Sequence, residues 1–310
     1  MSGAALLSQE PELPIRWIWE PFLPEGGLAL LVAYMKVGKT TFAYALAVAV
    51  AQGRPFLGFP TMRGGVLLLA LEEHPREVRR RLSRLNLGPE DPLYVHEGPL
   101  TYTPATFEAL RGFIREYGIR LVILDTLSMF WPVTDENANA EVIRSIKPLL
   151  ALARDTGASV VLIHHERKAG GEDGRGIRGG SALFGLVDQA LLLDRRQGGK
   201  DTQRVLRALG RYAETPRELI LELVGDEYRK VGTAEELGLE AMKTKVLAAL
   251  AAAPQEVARL AGQAGLSEKA TKKALSALGP GVVREGKGVR GKPRTYRQAD
   301  PDSIPSQPHP

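Results

Sequence analysis

The chain has 310 residues, of which 44% are hydrophobic and 25% charged, a composition typical of a globular protein and unlike a fibrous repeat or a disordered chain. It contains no cysteine, which excludes disulfides, a thiol nucleophile and cysteine-ligated zinc. The apolar runs are shorter than the roughly 18 to 20 residues that a membrane span needs, and residues 1–12 lack a signal-peptide pattern. We therefore expect a cytoplasmic protein with no membrane partner.

The net charge of +5 is unevenly distributed along the chain. Residues 240–298 carry 12 Lys and Arg against four acidic residues, a net charge of +8, whereas residues 1–239 carry 29 against 30, a net charge of −1. This asymmetry predicts that the C-terminal segment contacts a polyanion, most often nucleic acid. The alternative is a basic face that is simply solvated.

Strand-length and helix-length patterns alternate after an N-terminal arm at 1–16 and an aromatic, proline-containing segment at 17–24. Apolar runs predict strands at 28–33, 66–71, 120–124 and 158–164, and helices are predicted at 40–52, 75–87, 106–117 and 138–156. Such alternation predicts an α/β fold with a mostly parallel sheet covered by helices, whose ligands bind at the carboxyl ends of the strands. Three further strands, at 187–193, 204–209 and 218–224, are expected to form its antiparallel half.

A phosphate-binding loop is predicted between the first apolar strand and its helix. The segment 33–40, AYMKVGKT, has the context and the Gly-Lys-Thr of a Walker A motif, with Ala33 in the place of the usual first glycine. Its backbone N–H groups and Lys39 would bind the phosphates of ATP, and the Thr40 hydroxyl would ligate Mg²⁺. The predicted nucleotide-binding residues are Ala33, Lys36, Val37, Gly38, Lys39, Thr40 and Thr41.

Two carboxylates at strand ends complete the predicted chemistry. The apolar run 121–124 ends in Asp125, the form of a Walker B segment, and Asp125 would hold Mg²⁺. The run that precedes it ends at Glu72 and Glu73, and a carboxylate there can orient and deprotonate the attacking water. We assign Glu72 as that base; the alternative is that both acids only begin the next helix, which suits Glu73 better.

Two further features follow the last parallel strand. His164 and His165 end that strand, and one of them could sense the γ-phosphate; a structural role suits His165 better, and metal binding is the less favoured alternative. Residues 168–181 include six glycines together with Lys168, Arg175 and Arg178. This loop could bind a nucleic-acid backbone or could be an ordinary flexible loop.

Taken in order, these motifs resemble the RecA-like ATPases, and most closely the plasmid RepA-type hexameric replicative helicases. Over about residues 17 to 224 the resemblance rests on the Walker A segment, LEEHP at 71–75, ILDTL at 123–127, HHERK at 164–168 and RGGSAL at 178–183. It implies that Glu72 is the catalytic base, that His164 reads the γ-phosphate, and that the loop before Arg178 faces single-stranded DNA in the channel of a ring.

The same resemblance implies an arginine finger that acts on a neighbouring subunit. The segment Gly210-Arg211-Tyr212 matches the finger segment, and Arg211 is the predicted catalytic residue, with Arg207 as the alternative. Related rings often carry a lysine two residues earlier, where this chain has Leu209. A finger in trans would make hydrolysis depend on oligomerisation.

The basic C-terminal segment resembles a winged helix domain. Helices are predicted at 242–252, 255–263 and 267–278, the last two spaced as a helix-turn-helix, followed by a basic hairpin at 282–297. The predicted DNA-binding residues here are Lys269, Lys272 and Lys273 on the third helix and Lys287, Arg290, Lys292 and Arg294 on the hairpin. A winged helix that docks a protein is the alternative.

The sequence thus predicts an N-terminal arm (1–16), a RecA-like ATPase domain (17–232), a winged helix domain (240–298) and a disordered tail (299–310). The expected function is that of an Mg²⁺- and ATP-dependent, hexameric ring motor acting on DNA as a replicative helicase of a mobile element, with a primase or replication initiator as a candidate partner. A repair or recombination ATPase that remodels without unwinding, and an ATP-switched DNA-binding regulator, are the alternatives.

Overall fold

A computed structural model describes residues 14–136, 138–165, 180–250, 254–286 and 294–299. The chain divides into two compact units, residues 1–231 and 232–310. Several predicted features lie outside the described residues. They are residues 1–13 of the predicted arm, the basic loop residues Lys168, Arg175 and Arg178, the hairpin residues Lys287, Arg290 and Lys292, and residues 300–310 of the tail.

The first unit is an α/β structure. Its strands are β1 (Trp17–Trp19), β2 (Leu23–Pro24), β3 (Leu28–Ala33), β4 (Gly65–Ala70), β5 (Leu93–Glu97), β6 (Ile119–Asp125), β7 (Ser159–His165), β8 (Gln189–Arg195), β9 (Gln203–Gly210), β10 (Glu218–Val224) and β11 (Glu227–Thr233). Its helices are α1 (Lys39–Gln52), α2 (Pro75–Arg84), α3 (Pro104–Glu116), α4 (Asn139–Thr156) and α5 (Gly180–Leu186), with a 3₁₀ turn at Leu127–Met129.

Among the described residues, nine of these strands form one sheet in the order β11-β10-β9-β8-β3-β7-β6-β4-β5. The strands from β8 to β5 run parallel, while β9 is antiparallel to β8 and β10 is antiparallel to β9. The predicted α/β fold with a mostly parallel sheet is therefore confirmed. We call the side where β3, β4, β6 and β7 end the carboxyl edge, and the opposite side the amino edge.

Both faces of the sheet are buried, because successive residues of a strand point to opposite faces. In β3, Ala29, Leu31 and Ala33 pack in one cluster with α1, and Leu28, Leu30 and Val32 pack in a second cluster with α3 and α4. The antiparallel strands contribute Leu206, Leu219, Leu221 and Tyr228 to the cluster around α1. The antiparallel half of the sheet thus packs against the helix that follows the phosphate-binding loop.

Two strands of the nine-stranded sheet, β5 and β11, were not predicted from the sequence. The β5 strand is partly exposed along its length, and the β11 strand, EYRKVGT, is mostly polar, so neither has an apolar run. Both lie at the ends of the sheet, where strands are less buried.

The second unit contains α6 (Ala234–Ala249), α7 (Val257–Ala264) and α8 (Glu268–Leu278), a 3₁₀ turn at Gly279–Gly281, and strands β12 (Gln255–Glu256), β13 (Val282–Glu285) and β14 (Thr295–Gln298). The strands form an antiparallel sheet in the order β12-β14-β13, and Val246, Leu260 and Leu275 lie in a small core. Helix α6 begins eight residues before the predicted 242, because Thr233 and Glu236 form a capping box at its start. Within the described residues, no helix combines the length and apolar character needed to cross a bilayer.

Candidate active site

The loop between β3 and α1 has the backbone shape of an anion-binding turn. Gly38 precedes α1 with φ = 112°, and Lys36 has φ = 63°, so both adopt the left-handed region. A Cβ at Gly38 would also overlap the Tyr228 hydroxyl, so the position requires glycine for two reasons. The free N–H groups at the start of α1 then provide a site for phosphate oxygens.

Side chains from three strand ends and from the start of α1 meet at the carboxyl edge. They line a cavity of about 360 Å³, and its lining residues are Lys39, Thr40, Glu72, Glu73, His74, Asp125, Thr126 and His165. The predicted residues Lys39, Thr40, Glu72 and Asp125 are thus brought together. The remaining loop residues Ala33 and Val37 are buried behind the loop, and the Thr41 hydroxyl accepts a hydrogen bond from Arg81 at 2.9 Å.

Lys39 is a buried cation. Its side chain is only 7% exposed, and burial lowers its pKa while the carboxylates of Asp125 and Glu72 oppose that shift. Its Nζ lies 2.8 Å from Nδ1 of His165. Because an ammonium group only donates hydrogen bonds, Nδ1 must accept, and neutral His165 then carries its proton on Nε2, 3.5 Å from Oε2 of Glu72.

Asp125 and Thr40 provide oxygen ligands of the type that Mg²⁺ prefers. Asp125 is 3% exposed and accepts a hydrogen bond from Thr40; its burial raises the pKa of the carboxyl group to about 6. A cation bound beside it would favour the charged form. No cluster of three or more His, Asp or Glu residues suited to a metal occurs in the described ranges, so phosphate oxygens and water would complete the coordination shell.

Glu72 and Glu73 are placed differently. Glu72 has a half-exposed side chain whose Oε2 accepts a hydrogen bond from the Thr126 hydroxyl at 3.0 Å, so it is accessible from the cavity. Glu73 is paired with Arg81 of α2 at 2.9 Å. Glu72 therefore faces the cavity, whereas Glu73 is paired with Arg81, which also bonds Thr41 of α1. The role of Glu72 as the base stays a prediction.

The two histidines at the end of β7 face the opposite way from our prediction, in which His164 faced the nucleotide and His165 had a structural role. His164 is 1% exposed and packs edge-to-face on Trp131, with ring centroids 5.5 Å apart, away from the cavity. His165 lines the cavity. The reason is the alternation of the strand: Val161 and Ile163 belong to the cluster around α1, so His165 shares their face and His164 lies on the other.

Arg211 and Arg207 do not reach the cavity of their own chain. Arg211 follows β9 at the amino edge; it is 63% exposed and its Nη1 lies 3.7 Å from Oδ1 of Asp188. Arg207 is paired with Asp194 at 3.1 Å and with Glu218 at 3.3 Å. A role for Arg211 at the site of another copy stays a prediction.

The predicted DNA-binding residues of the second unit that the structure describes are exposed. Lys269, Lys272 and Lys273 lie on the surface of α8, with Lys272 3.5 Å from Glu268, and Arg294 is exposed beside β14. Nothing in their geometry identifies what they bind.

Sequence analysis missed four residues around the site. Thr126 directly follows Asp125 and could have been suspected as a polar group at a strand end. Arg81, Arg204 and Tyr228 belong to no motif: Arg81 bonds Thr41, and Arg204 and Tyr228 bond the carbonyl of Val37. Their contacts span 40 to 191 positions in sequence, so only the fold reveals them.

A family model described as an AAA domain matches residues 4–171. The match covers more than half of the chain and includes the loop, Glu72, Asp125 and both histidines. Proteins with this P-loop domain hydrolyse nucleoside triphosphates and generally bind ATP with Mg²⁺, in agreement with the residues gathered in the cavity. The chain belongs to the AAA domain family and is a P-loop NTP-hydrolysing enzyme.

Proposed function

We propose that this protein is an ATP-driven motor that acts on DNA, organised as a ring of identical subunits like the RepA-type replicative helicases. The observation that carries the proposal is that one chain contains both an NTPase cavity and a second unit rich in basic residues. The order of motifs supports the RecA-like assignment within the P-loop class. In the part of the second unit that the structure describes, three helices and a three-stranded antiparallel sheet support a winged helix domain.

The chemistry follows from the placement of each side chain. In the nucleotide-bound protein, Lys39 and the N–H groups at the start of α1 would bind the β- and γ-phosphates, and Thr40 and Asp125 would hold a magnesium ion, which would supply positive charge to neutralise the phosphates. Glu72 accepts the proton of the attacking water. We assign the sensing of the γ-phosphate to His165 rather than to His164, because His165 contacts both Lys39 and Glu72.

The ring arrangement accounts for the position of Arg211. Among the described residues, none of those that line the cavity is an arginine, whereas Arg211 is exposed at the opposite edge of the sheet. In a head-to-tail ring, one subunit presents its amino edge to the site of the next, and the guanidinium would stabilise charge on the transferring phosphoryl group. Hydrolysis would then depend on oligomerisation.

The basic residues of both units would contact DNA. Lys168, Arg175 and Arg178 lie in the sequence between β7 and α5. We expect this segment to contact single-stranded DNA in the channel of a ring. Lys269, Lys272 and Lys273, with Lys287, Arg290, Lys292 and Arg294, would bind phosphates of a duplex, and a primase or replication initiator would be a natural partner. Such contacts weaken steeply as salt rises.

The test is ATP turnover with and without single-stranded DNA, with the mass of the protein measured at the same concentration and strand displacement assayed in parallel. Oligomeric, DNA-stimulated turnover with strand displacement is the expected result. Stimulation without displacement would replace the helicase by a remodelling ATPase. Turnover that does not change when DNA is added, together with sequence-specific duplex binding, would indicate a nucleotide-switched regulator instead of a helicase.

A matched pair of variants tests the second unit. Replacing Lys269, Lys272 and Lys273 with Ala should weaken duplex binding and reduce its salt dependence, because each lost phosphate contact lowers the slope of log K against log salt by about one. Replacing three basic residues outside α8, Lys243, Lys245 and Arg259, with Ala is the control for general loss of charge. Equal effects of the two changes would contradict a binding surface on α8.

A further inference from the structure

Two side chains of the antiparallel half of the sheet form hydrogen bonds with the backbone of the phosphate-binding loop. Nε of Arg204, in β9, donates to the carbonyl oxygen of Val37 at 2.8 Å. The hydroxyl of Tyr228, in β11, lies 3.3 Å from the same oxygen and 3.2 Å from the carbonyl oxygen of Gly38. Both contacts are made to the backbone of the loop and neither reaches into the cavity.

Arg204 is an unusual residue for such a position. It is 5% exposed, and within the described part of the chain no carboxylate forms an ion pair with it. Its guanidinium donates instead to backbone carbonyls, those of Val37, Asp201 and Gln203. Burying a cation without a counter-ion is unfavourable, and an apolar side chain of similar size would fill the space at lower cost in desolvation.

Tyr228 is also a buried polar residue whose side chain contacts the backbone of the loop. Its ring packs edge-to-face on Phe42 of α1, with centroids 5.4 Å apart, and its hydroxyl occupies the space that a Cβ of Gly38 would need. Burial raises the pKa of Tyr228 to about 12, and the neighbouring Arg204 opposes the shift. The hydroxyl therefore keeps its proton and acts as a donor at every physiological pH.

The two contacts fix which way the loop amides point. In a trans peptide unit the C=O and the following N–H point in opposite directions. Holding the carbonyls of Val37 and Gly38 toward Arg204 and Tyr228 therefore directs the N–H groups of Gly38 and Lys39 away from them. Those two N–H groups lie at the start of α1, where phosphate oxygens bind.

We propose that Arg204 and Tyr228 are positioning residues that preorganise the phosphate-binding loop, so that the antiparallel strands of the sheet set the affinity for nucleotide. This role concerns only the binding of nucleotide. It does not depend on whether the protein forms a ring or acts on DNA.

The first test is Tyr228→Phe, which keeps the ring on Phe42 and removes only the hydroxyl. The matched control is Tyr102→Phe, since the Tyr102 hydroxyl also donates to a backbone carbonyl, that of Ser145 at 2.6 Å, but away from the loop. We would titrate both variants with a fluorescent ADP analogue and Mg²⁺, in the absence of DNA, and record the melting temperature of each without nucleotide.

Tyr228→Phe should weaken binding of the analogue roughly three- to tenfold, the effect of losing one or two neutral hydrogen bonds. Tyr102→Phe should leave the affinity within about twofold of wild type while lowering the melting temperature to a similar extent. A normal affinity in Tyr228→Phe, with only its melting temperature lowered, would overturn the proposal, because the hydroxyl would then serve stability alone.

The second test is Arg204→Lys against Arg204→Met. Lysine restores a donor but lacks the planar fork that serves several carbonyls, so it should recover part of the affinity that methionine loses. Equal affinity in both folded variants would contradict a role for hydrogen bonding by this residue. If either variant fails to fold, Tyr228→Phe alone decides the matter.

Discussion

Two buried aspartates at opposite edges of the same sheet have very different surroundings. Asp188, at the amino edge, is 3% exposed and accepts hydrogen bonds from the N–H of Leu28 at 3.0 Å and from Arg154 at 2.7 and 2.8 Å. Asp125, at the carboxyl edge, is equally buried, but its hydrogen bond comes from the neutral hydroxyl of Thr40 and its pKa is raised to about 6.

The difference separates structural from functional polar groups. Asp188 joins the start of β3 to α4, and its charge is compensated within the chain. Asp125 and its neighbour Glu72 share a cavity with Lys39, and the burial of that ammonium group also lowers its pKa. Groups whose charged forms are disfavoured in the free protein are suited to bind a ligand of the opposite charge.

The largest effect should come from the carboxyl edge. Lys39→Ala removes the buried cation that faces the phosphates, and we expect ATP turnover to fall on the order of 10³-fold. Lys147→Ala is the control, because it removes an exposed lysine of α4 that does not line the cavity. A fall of similar size in the control would contradict a specific role for the Lys39 charge.

The amino edge should respond in stability. Asp188→Ala leaves the N–H of Leu28 without its acceptor and Arg154 without its counter-ion, so the free energy of unfolding should fall by about 3 kcal/mol in urea denaturation. Asp155→Ala is the control, since it removes an exposed partner of Arg111 and should change stability by less than about 1 kcal/mol. A loss at Asp188 no larger than the control would contradict a structural role.

The raised pKa of Asp125 predicts a pH dependence in the metal-free protein. The folded-state pKa of about 6 lies above the ordinary value of 3.8, so the folded state binds the proton more tightly. Stability from this group should therefore be greatest near pH 4 and decline as the pH rises through 6, by an amount on the order of 2 kcal/mol. Asp125→Asn should remove that decline and be the more stable protein at pH 8 without Mg²⁺.

Thermal melts at pH 5 and pH 8, with and without Mg²⁺, check this prediction. Mg²⁺ with nucleotide should raise the melting temperature of the wild type more than that of Asp125→Asn. Identical pH profiles for the two proteins would mean that the burial of Asp125 does not oppose its ionisation.

The smallest expected effect distinguishes the adjacent histidines. His165→Gln should lower ATP turnover roughly tenfold with little change in melting temperature, because His165 lines the cavity and contacts Lys39. His164→Gln should lower the melting temperature and leave turnover within about threefold, because its ring is buried against Trp131. The reverse pattern would restore our sequence-based assignment.

Local patterns predicted the parallel strands and the phosphate-binding loop, because their signals lie within a few residues of each other. The apolar runs that became β3, β4, β6 and β7 are continuous, as strands buried on both faces must be. That same continuity concealed which face each residue occupies, so the choice between His164 and His165 could not be made. It required the register of β7 beside β3, where Ala33 is opposite His165.

The two partly exposed strands, and the residues that support the phosphate-binding loop, could not be predicted because their placement depends on contacts distant in sequence. The partly polar β5 and β11 are strands because of their neighbours in the sheet, and not because of their own hydrophobic pattern. Arg204 and Tyr228 contact Val37 over separations of 167 and 191 positions. No local motif records contacts of that range.

The most direct test of the account compares ATP hydrolysis by the wild type, Glu72→Gln and Glu73→Gln, with binding of a fluorescent ADP analogue measured on the same samples. We predict that Glu72→Gln loses turnover by roughly 10² to 10⁴-fold while binding the analogue within about threefold of wild type, because it lacks only the base. Glu73→Gln should retain most of its turnover. Normal hydrolysis by Glu72→Gln, or a greater loss in Glu73→Gln, would contradict the account.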